Sequence, residues 1–355
     1  MSALDGIAPS TVAVTAIGVC TPIGLTAEAS HAALRARLTS FWMTELRGGR
    51  GEPIRTSSLT LLDRGMSRFE RMAAMSDWAF EDMRLPASIR TGTRAALVLA
   101  LPDADADLFF DAEAFAERWA QKVKTYLPGA AGPVRVLQQG RSAFFFAVEH
   151  AISLLERREC EAVVIGAVDS LCSPEVLRHL EGEGRLLQAE GHGTIPGEGA
   201  AFVLLERAGA RRMAEETPPL GWMRGAATAF ESCHFLQDAP NTAQALASVF
   251  RQLRHRWSER ADLLYTCETG EPFWVAELSM AYLRNVPLMP EPFVRMLAAS
   301  SFGDLGAAAG GIMAGMGLLS LARLRRPAGT PPPVLLSYGS AERGHVGGCL
   351  MQAVR

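Results

Sequence analysis

The 355-residue chain has no block of lysine and arginine, no Cys-x-x-Cys pair and no low-complexity segment. Without a basic block, and with a net charge of −3, it lacks the electrostatic footprint that nucleic acid or an anionic membrane surface requires. Small molecules and proteins are therefore the expected partners. Cys20, Cys160, Cys172, Cys233, Cys267 and Cys349 are scattered, and Cys233 with His234 forms the nearest cysteine–histidine pair. Adjacent residues do not offer metal-site spacing, so neither a metal nor a cofactor is expected. Met1-Ser-Ala-Leu-Asp5 lacks the basic start and apolar run of a secretory leader, which sets the expectation of a cytoplasmic protein with reduced thiols. One uncharged run, 305–322, reaches the lower limit of roughly 17 residues for crossing a bilayer. It is rich in glycine and alanine, whose small surfaces supply little transfer energy. A buried helix approached closely by neighbouring backbone is expected there, and no membrane insertion.

What is present is a chain with 48% hydrophobic and 21% charged residues, enough to bury a large core as two domains or one large α/β unit. Strand and helix patterns alternate in both halves, which argues for a parallel or mixed sheet covered by helices. Strands are expected at 11–19, 94–100, 134–137, 162–168 and 199–206, then at 221–229, 263–266, 334–338 and 346–354, with 134–137 short and buried. Helices are expected from a Thr26 cap through His31 to Leu38, at 67–83, 112–124, 141–158, 242–255 and 272–283, and near 306–322. Residues 39–62 and 180–196 read as loops.

Three segments carry a family pattern: Thr15-Ala-Ile-Gly-Val-Cys-Thr-Pro-Ile-Gly24, Pro196-Gly-Glu-Gly-Ala-Ala-Phe-Val-Leu-Leu-Glu206 and Gly303-Asp-Leu-Gly-Ala-Ala-Ala-Gly-Gly311. Together they resemble the thiolase-like, β-ketoacyl synthase superfamily. The resemblance implies an α/β fold of two pseudo-duplicated βαβαβαββ halves in a five-layer α/β/α/β/α arrangement, with halves 1–207 and 208–355. It also implies a site: a cysteine where a strand turns sharply into a buried helix, two histidines, and often a supporting lysine. Helix N-termini favour the thiolate in such a turn.

At these positions the chain differs. The register of Glu149-His150-Ala151 and Ile165-Gly166-Ala167-Val168-Asp169 puts Arg141 at the nucleophile position, and no cysteine stands between Cys20 and Cys160. A shift of one brings Ser142 to the turn, a serine that could take an acyl group only with an activating base. Cys267 takes the place of the first histidine, Asp304 the second and Ala299 the lysine. His192 in Gly191-His-Gly-Thr194 copies the letters of the first histidine motif but precedes Pro196-Gly-Glu-Gly199, so it reads as structural or surface. His150 reads as a satisfied helix residue. Losing the nucleophile alone costs about a million-fold in turnover in such a unit, so no catalytic residue is expected. A guanidinium at a helix N-terminus opposes the dipole unless an anion pairs with it; Asp304 is the expected partner of Arg141. Charged Glu342 and Arg343 replace the apolar gate that condensing enzymes carry before their last strand.

The resemblance leaves three functions open. The first is a non-catalytic assembly component, an adaptor similar to the short thiolase-like proteins of type VI secretion, with a secreted effector or spike-tip protein as partner. The second is a partner subunit of an active ketosynthase, like a chain-length factor. The third is an acyltransferase using Ser142 or Cys267. Such folds pair through the strand before the nucleophile helix, so a dimer through 134–137 is expected, homomeric unless a dedicated partner exists.

Overall fold

The computed structural model describes residues 12–49, 51–86, 89, 93–104, 110–130, 132–188, 191–207, 218–327 and 329–354. Within them the chain runs β1 (Val12–Cys20), α1 (Ala27–Arg35), β2 (Trp42–Arg47), β3 (Pro53–Thr56), α2 (Arg68–Asp82), β4 (Ala95–Leu101), α3 (Ala112–Tyr126) and β5 (Arg135–Gln138). It continues through α4 (Ala143–Glu156), β6 (Ala162–Ser170), α5 (Pro174–Gly182), β7 (Glu198–Arg207), β8 (Gly221–Phe230), α6 (Gln244–Arg256) and β9 (Leu263–Thr266). The last elements are α7 (Pro272–Arg284), β10 (Arg295–Leu297), α8 (Ala299–Phe302), α9 (Ala309–Leu321), β11 (Val334–Ser340) and β12 (His345–Ala353).

The strand order β10-β9-β11-β12-β8-β1-β7-β6-β4-β5 exposes an internal repeat. Reading outward from the centre, β1-β7-β6-β4-β5 and β8-β12-β11-β9-β10 follow the same sequence of connections. In each set the first two pairings are antiparallel and the next two parallel. The sets meet where Val12, Ala13 and Val14 pair with Met223, Trp222 and Gly221. The expected dividing point between residues 207 and 208 borders 208–217, which lie outside the described residues, as does Thr11 of the first expected strand.

Helices fill three layers. Packing of α2 on β1, β7 and β6 and of α3 on β4 covers one outer face; α6 on β8 and β12, with α7 against α6, covers the other. Between them α4 and α9 touch strands of both sets. α9 is hydrophobic all round and almost wholly buried, as a helix surrounded by protein must be. Its glycines set the spacing: a Cβ on Gly310 would meet Phe144 at 2.6 Å, and one on Gly311 would meet Ala167 and Ala201 at 2.9 Å. The run 305–322 is thus a core segment, and among the described residues no helix is long and apolar enough to cross a membrane.

Local signals act as their chemistry dictates. Thr26 caps α1 by accepting from the Ala29 amide, and Ser67 with Glu70 forms a reciprocal capping box on α2. α1 stops at Arg35, short of Leu38, because the chain turns through Arg37 at φ 56°. The structure corrects other expectations. Residues 39–62 hold the β2–β3 hairpin, and 180–196 begin inside α5. β5 is an edge strand with an exposed Arg135, not a buried one, since β4 alone pairs with it among the described residues. β10 and α8 are too short to leave a periodic signal.

Candidate functional site

The first half delivers Arg141 through a sharp turn. β5 passes through Gln139 into Gly140, whose φ of +51° suits glycine, and a single 3₁₀ turn, Gly140–Ser142, leads into α4. A Cβ on Gly140 would come within 2.5 Å of the Asp103 carboxylate. The second half delivers Asp304 through Gly303, at φ +69°, followed by the 3₁₀ turn Gly306–Ala308 that opens α9. The N-terminal ends of the two central helices therefore face one another.

They are joined by a two-pronged ion pair. Arg141 donates from Nε to Asp304 Oδ1 at 3.0 Å and from Nη2 to Oδ2 at 2.7 Å, with the residues 2% and 3% exposed. Asp304 also accepts from the Gly306 amide at 3.0 Å and the Thr194 hydroxyl at 3.4 Å. An arginine alone at the start of α4 would oppose the helix dipole. Here the opposing carboxylate stands at the start of α9, where the dipole favours it.

A second arginine extends the cluster. Glu342 lies 2.9 Å from Arg141 and 3.0 Å from Arg185, and Arg185 also binds Glu271 at 2.8 Å. Glu271 in turn accepts from Trp274 Nε1 and Thr269 Oγ1, each at 2.9 Å. The guanidinium groups of Arg141 and Arg185 lie 4.7 Å from the rings of Trp274 and Phe235, which stack at 5.2 Å. Burial works against charge on Arg141, but Asp304 and Glu342 outweigh it and hold the guanidinium well above its ordinary value. Burial likewise raises the Asp304 and Glu342 carboxyls; Arg141 and Arg185 together outweigh it, and both stay below the usual carboxylate range.

A cavity of about 290 Å³ opens beside this cluster, with Arg68, Asp103, Arg141, Asp169, Asp304 and Glu342 on its polar side. Among its described lining residues there is no cysteine, and its histidine, His179, is 3.1 Å from Glu183. Asp103 is pushed up to about 7, first by burial and then by Glu342. A carboxyl raised in the folded state contributes stability below its unfolded value near 4, and that stability is lost as pH rises to the folded value near 7. The Asp103→Asn protein should therefore outlast the parent above pH 7, by on the order of 1 kcal/mol or about 2 °C in Tm, and the gap should shrink toward pH 4. Thermal melts across that range check it; a gap that does not depend on pH counts against the assignment.

The remaining sequence candidates are dispersed. Cys267 follows β9, is buried, and accepts from the Ser340 amide at 3.2 Å. Burial pushes its thiol up to about 12 even though Arg141 opposes the shift, so it holds its proton at neutral pH. The Ser142 hydroxyl is buried and donates to the Gln139 carbonyl at 2.8 Å, away from the cavity lining. Ala299 begins α8 and offers only its carbonyl, to the Gly303 amide. His192 is exposed, and half-buried His150 is lowered by burial. Arg141 and Asp304 are thus brought together, Cys267 is near enough to feel Arg141, and Ser142 and Ala299 stand outside the cavity. No motif or spacing pointed to Asp103, Arg185 or Glu271, which join the site from distant loops; Glu342 was visible only as a charge in the closing segment.

Known proteins share this arrangement of elements. Residues 123–210, which contain the Arg141 turn, match the family model for the beta-ketoacyl synthase, N-terminal domain. One similar solved structure is a type II PKS acyl-carrier protein in complex with its ketosynthase bound to the hexaketide: 17% identity, 98% of this chain and 100% of that chain, TM-score 0.77. Another is the ishigamide ketosynthase/chain length factor, at 16% identity over 97% of this chain and 100% of that chain, TM-score 0.74. The ketosynthase from module 6 of the bacillaene synthase of Bacillus subtilis 168 is 16% identical over 97% of this chain and 72% of that chain, TM-score 0.77. The chain therefore has the mixed α/β fold of the ketosynthases, and its residues 123–210 match that family's N-terminal-domain pattern.

Proposed function

We propose that the protein is a non-condensing partner subunit of an active ketosynthase, in the manner of a chain-length factor. The observation that carries this is the buried Arg141–Asp304 pair, with Glu342 against it, at the positions where the resemblance calls for a thiol and an imidazole. A guanidinium cannot attack a thioester, and preorganised donors alone leave a residual advantage of only about a thousand-fold to ten thousand-fold over water. Ser142 and Cys267 do not replace the missing group, since one hydroxyl is engaged by backbone and the other side chain is a buried thiol. The likeness to a ketosynthase/chain length factor favours a partner subunit over the secretion adaptor, for which the similar structures offer no support.

In this reading residues 1–207 and 208–355 are the two halves of one such subunit, and β5 supplies the joint. Its outer edge is unpaired among the described residues, and open edges are templates for another strand. Unpaired cysteines support a reducing, cytoplasmic setting.

Isolation of the complex from the native host tests the pairing. The expected result is a stable assembly with a ketosynthase-fold chain that does carry cysteine in the equivalent turn; a stable monomer, a homodimer alone or a secretion component would overturn it. Inactivity is checked separately by intact mass spectrometry after incubation with acyl-coenzyme A, where no mass gain is expected. An acyl adduct on Ser142 or Cys267 would make the protein an acyltransferase instead.

A further inference from the structure

We propose that the cavity beside Arg141 binds a primary ammonium group on a short hydrocarbon chain, with Asp103 and Glu342 as acceptors for its N–H donors. The described lining carries five acids, Asp103, Asp169, Glu183, Asp304 and Glu342, against four arginines. Four of the acids already face a basic group. Asp169 binds Arg68 at 2.7 Å, and Asp304 and Glu342 bind Arg141 at 2.7 and 2.9 Å. Glu183 lies 3.1 Å from His179 and 3.8 Å from Arg185. Asp103 is the exception. Among the described residues no donor reaches it, and His345 Nδ1 stands off at 4.0 Å, beyond a hydrogen bond.

An unpartnered carboxylate only 6% exposed is unfavourable until a donor meets it. The Asp103 oxygens are open to one, because they border the cavity and are not occluded, whereas Arg68 Nε and Arg141 Nη1 are closed off by protein. Glu342 supplies the second acceptor. The nearest contacts of Arg141 and Arg185 both fall on its Oε1, at 2.9 and 3.0 Å, and its side chain is 21% exposed. Glu342 stands close enough to Asp103 to raise its affinity for a proton, and a cation placed against both acids relieves that repulsion. The opposite wall is apolar, built from Leu171, Val176, Leu180 and Leu236. Carboxylates on one side and aliphatic groups on the other suit an alkylammonium ion better than a bare metal cation, which takes oxygen ligands all round.

Asp103 also gives the site a pH dependence. It faces Glu342 and Arg343 from the closing segment, Arg141 from the α4 turn, Asp169 from the end of β6, and His345 of β12. Burial and His234 hold His345 below its ordinary value, so it brings no positive charge at neutral pH. Burial and Glu342 outweigh the two arginines and raise Asp103 to about 7. An alkylammonium keeps its proton to about pH 10. Between pH 6 and pH 8 the acid therefore ionises while the ligand does not change, and binding strengthens. The site stands apart from the partner-subunit function, because it is assayed on the full chain with no partner present.

Calorimetric titration of that chain with pentylamine, pentan-1-ol and pentanoate reads the site. At pH 8 pentylamine should bind at least about 10-fold more tightly than either control, the ratio expected of one charge-assisted hydrogen bond. Its affinity should rise about 10-fold from pH 6 to pH 8, as the ionised fraction of an acid titrating near 7 does. Asp103→Asn should remove that rise and weaken pentylamine by about 10-fold at pH 8. Butylamine should bind about 3-fold more weakly than pentylamine, the share of one methylene on the apolar wall. A free amine and a protein lysine present the same group, and Nα-acetyl-lysinamide separates them: tighter binding than pentylamine assigns the ammonium to a lysine, weaker binding to a free amine, and both uphold the site. No binding of pentylamine, a control bound as tightly, an affinity that is flat or falls from pH 6 to pH 8, or an Asp103→Asn protein with parental affinity would each overturn it.

Discussion

Replacing Arg141 with alanine should destabilise the protein by about 3–5 kcal/mol, the range for stripping one partner from a buried ion pair. Asp304 would be left 3% exposed with only the Gly306 amide and a long contact to Thr194. Glu342 would keep Arg185 and suffer less. Arg141→Lys retains the charge but not the fork that meets both Asp304 oxygens, so about 1–2 kcal/mol is expected. The double variant Arg141→Met with Asp304→Asn removes both charges while leaving an acceptor for the Gly306 amide, and should recover more than half of the single-variant loss. Asp304 is held below the usual carboxylate range in the parent. Its contribution is therefore full at neutral pH and lost as pH falls through that depressed value, so parent and Arg141→Ala should converge in acid below about pH 4. Urea midpoints at several pH values read all four outcomes. A single-variant loss under about 1 kcal/mol would mean that the pair adds little to the junction of the halves.

Glu198→Ala should cost a similar amount, for a different reason. Glu198 is fully buried at the start of β7. It accepts four hydrogen bonds of 2.7 Å: two from Arg71, one from the Leu59 amide and one from the Ser170 hydroxyl. This carboxylate ties α2, the loop before it and the end of β6 to one point. Its removal leaves a guanidinium only 2% exposed with a single contact to the Asp63 carbonyl, at 2.8 Å. About 3–5 kcal/mol is expected for Glu198→Ala and about half that for Glu198→Gln, whose amide oxygen still accepts. Thermal and urea midpoints check both, and a tolerant Glu198→Ala protein would show that the four bonds are replaced by water.

The architecture was legible where the pattern is long and local. Thr26 and the apolar spacing of 67–83 and 242–255 specify helices through a cap and periodicity, and the glycine-rich 305–322 run announces a crowded core helix. The β2–β3 hairpin escaped because its alternation is short: Trp42 and Met43 are both exposed, and only Thr44 and Leu46 of β2 and Ile54 and Thr56 of β3 turn inward. α8, of four residues, and β10, of three, each hold too little more than one period to show a pattern. At the site, motif register found Arg141 and Asp304 because each sits in a segment whose neighbours are constrained by packing. It could not find Arg185, Glu271 or Asp103, whose roles come from loops that meet only after both halves have folded. The same limit explains Ser142: adjacency in sequence suggested access, whereas the 3₁₀ turn directs its hydroxyl into the backbone.

Arg141 lies in the segment before residue 207 and Asp304 in the segment after 221, so the pair spans the two repeats. Changing Arg141 alone would strand an acid in the interior, and changing Asp304 alone would strand a guanidinium. Either single change descends into a stability trough. The two positions are therefore locked to one another, with substitution open only to coordinated changes in both halves.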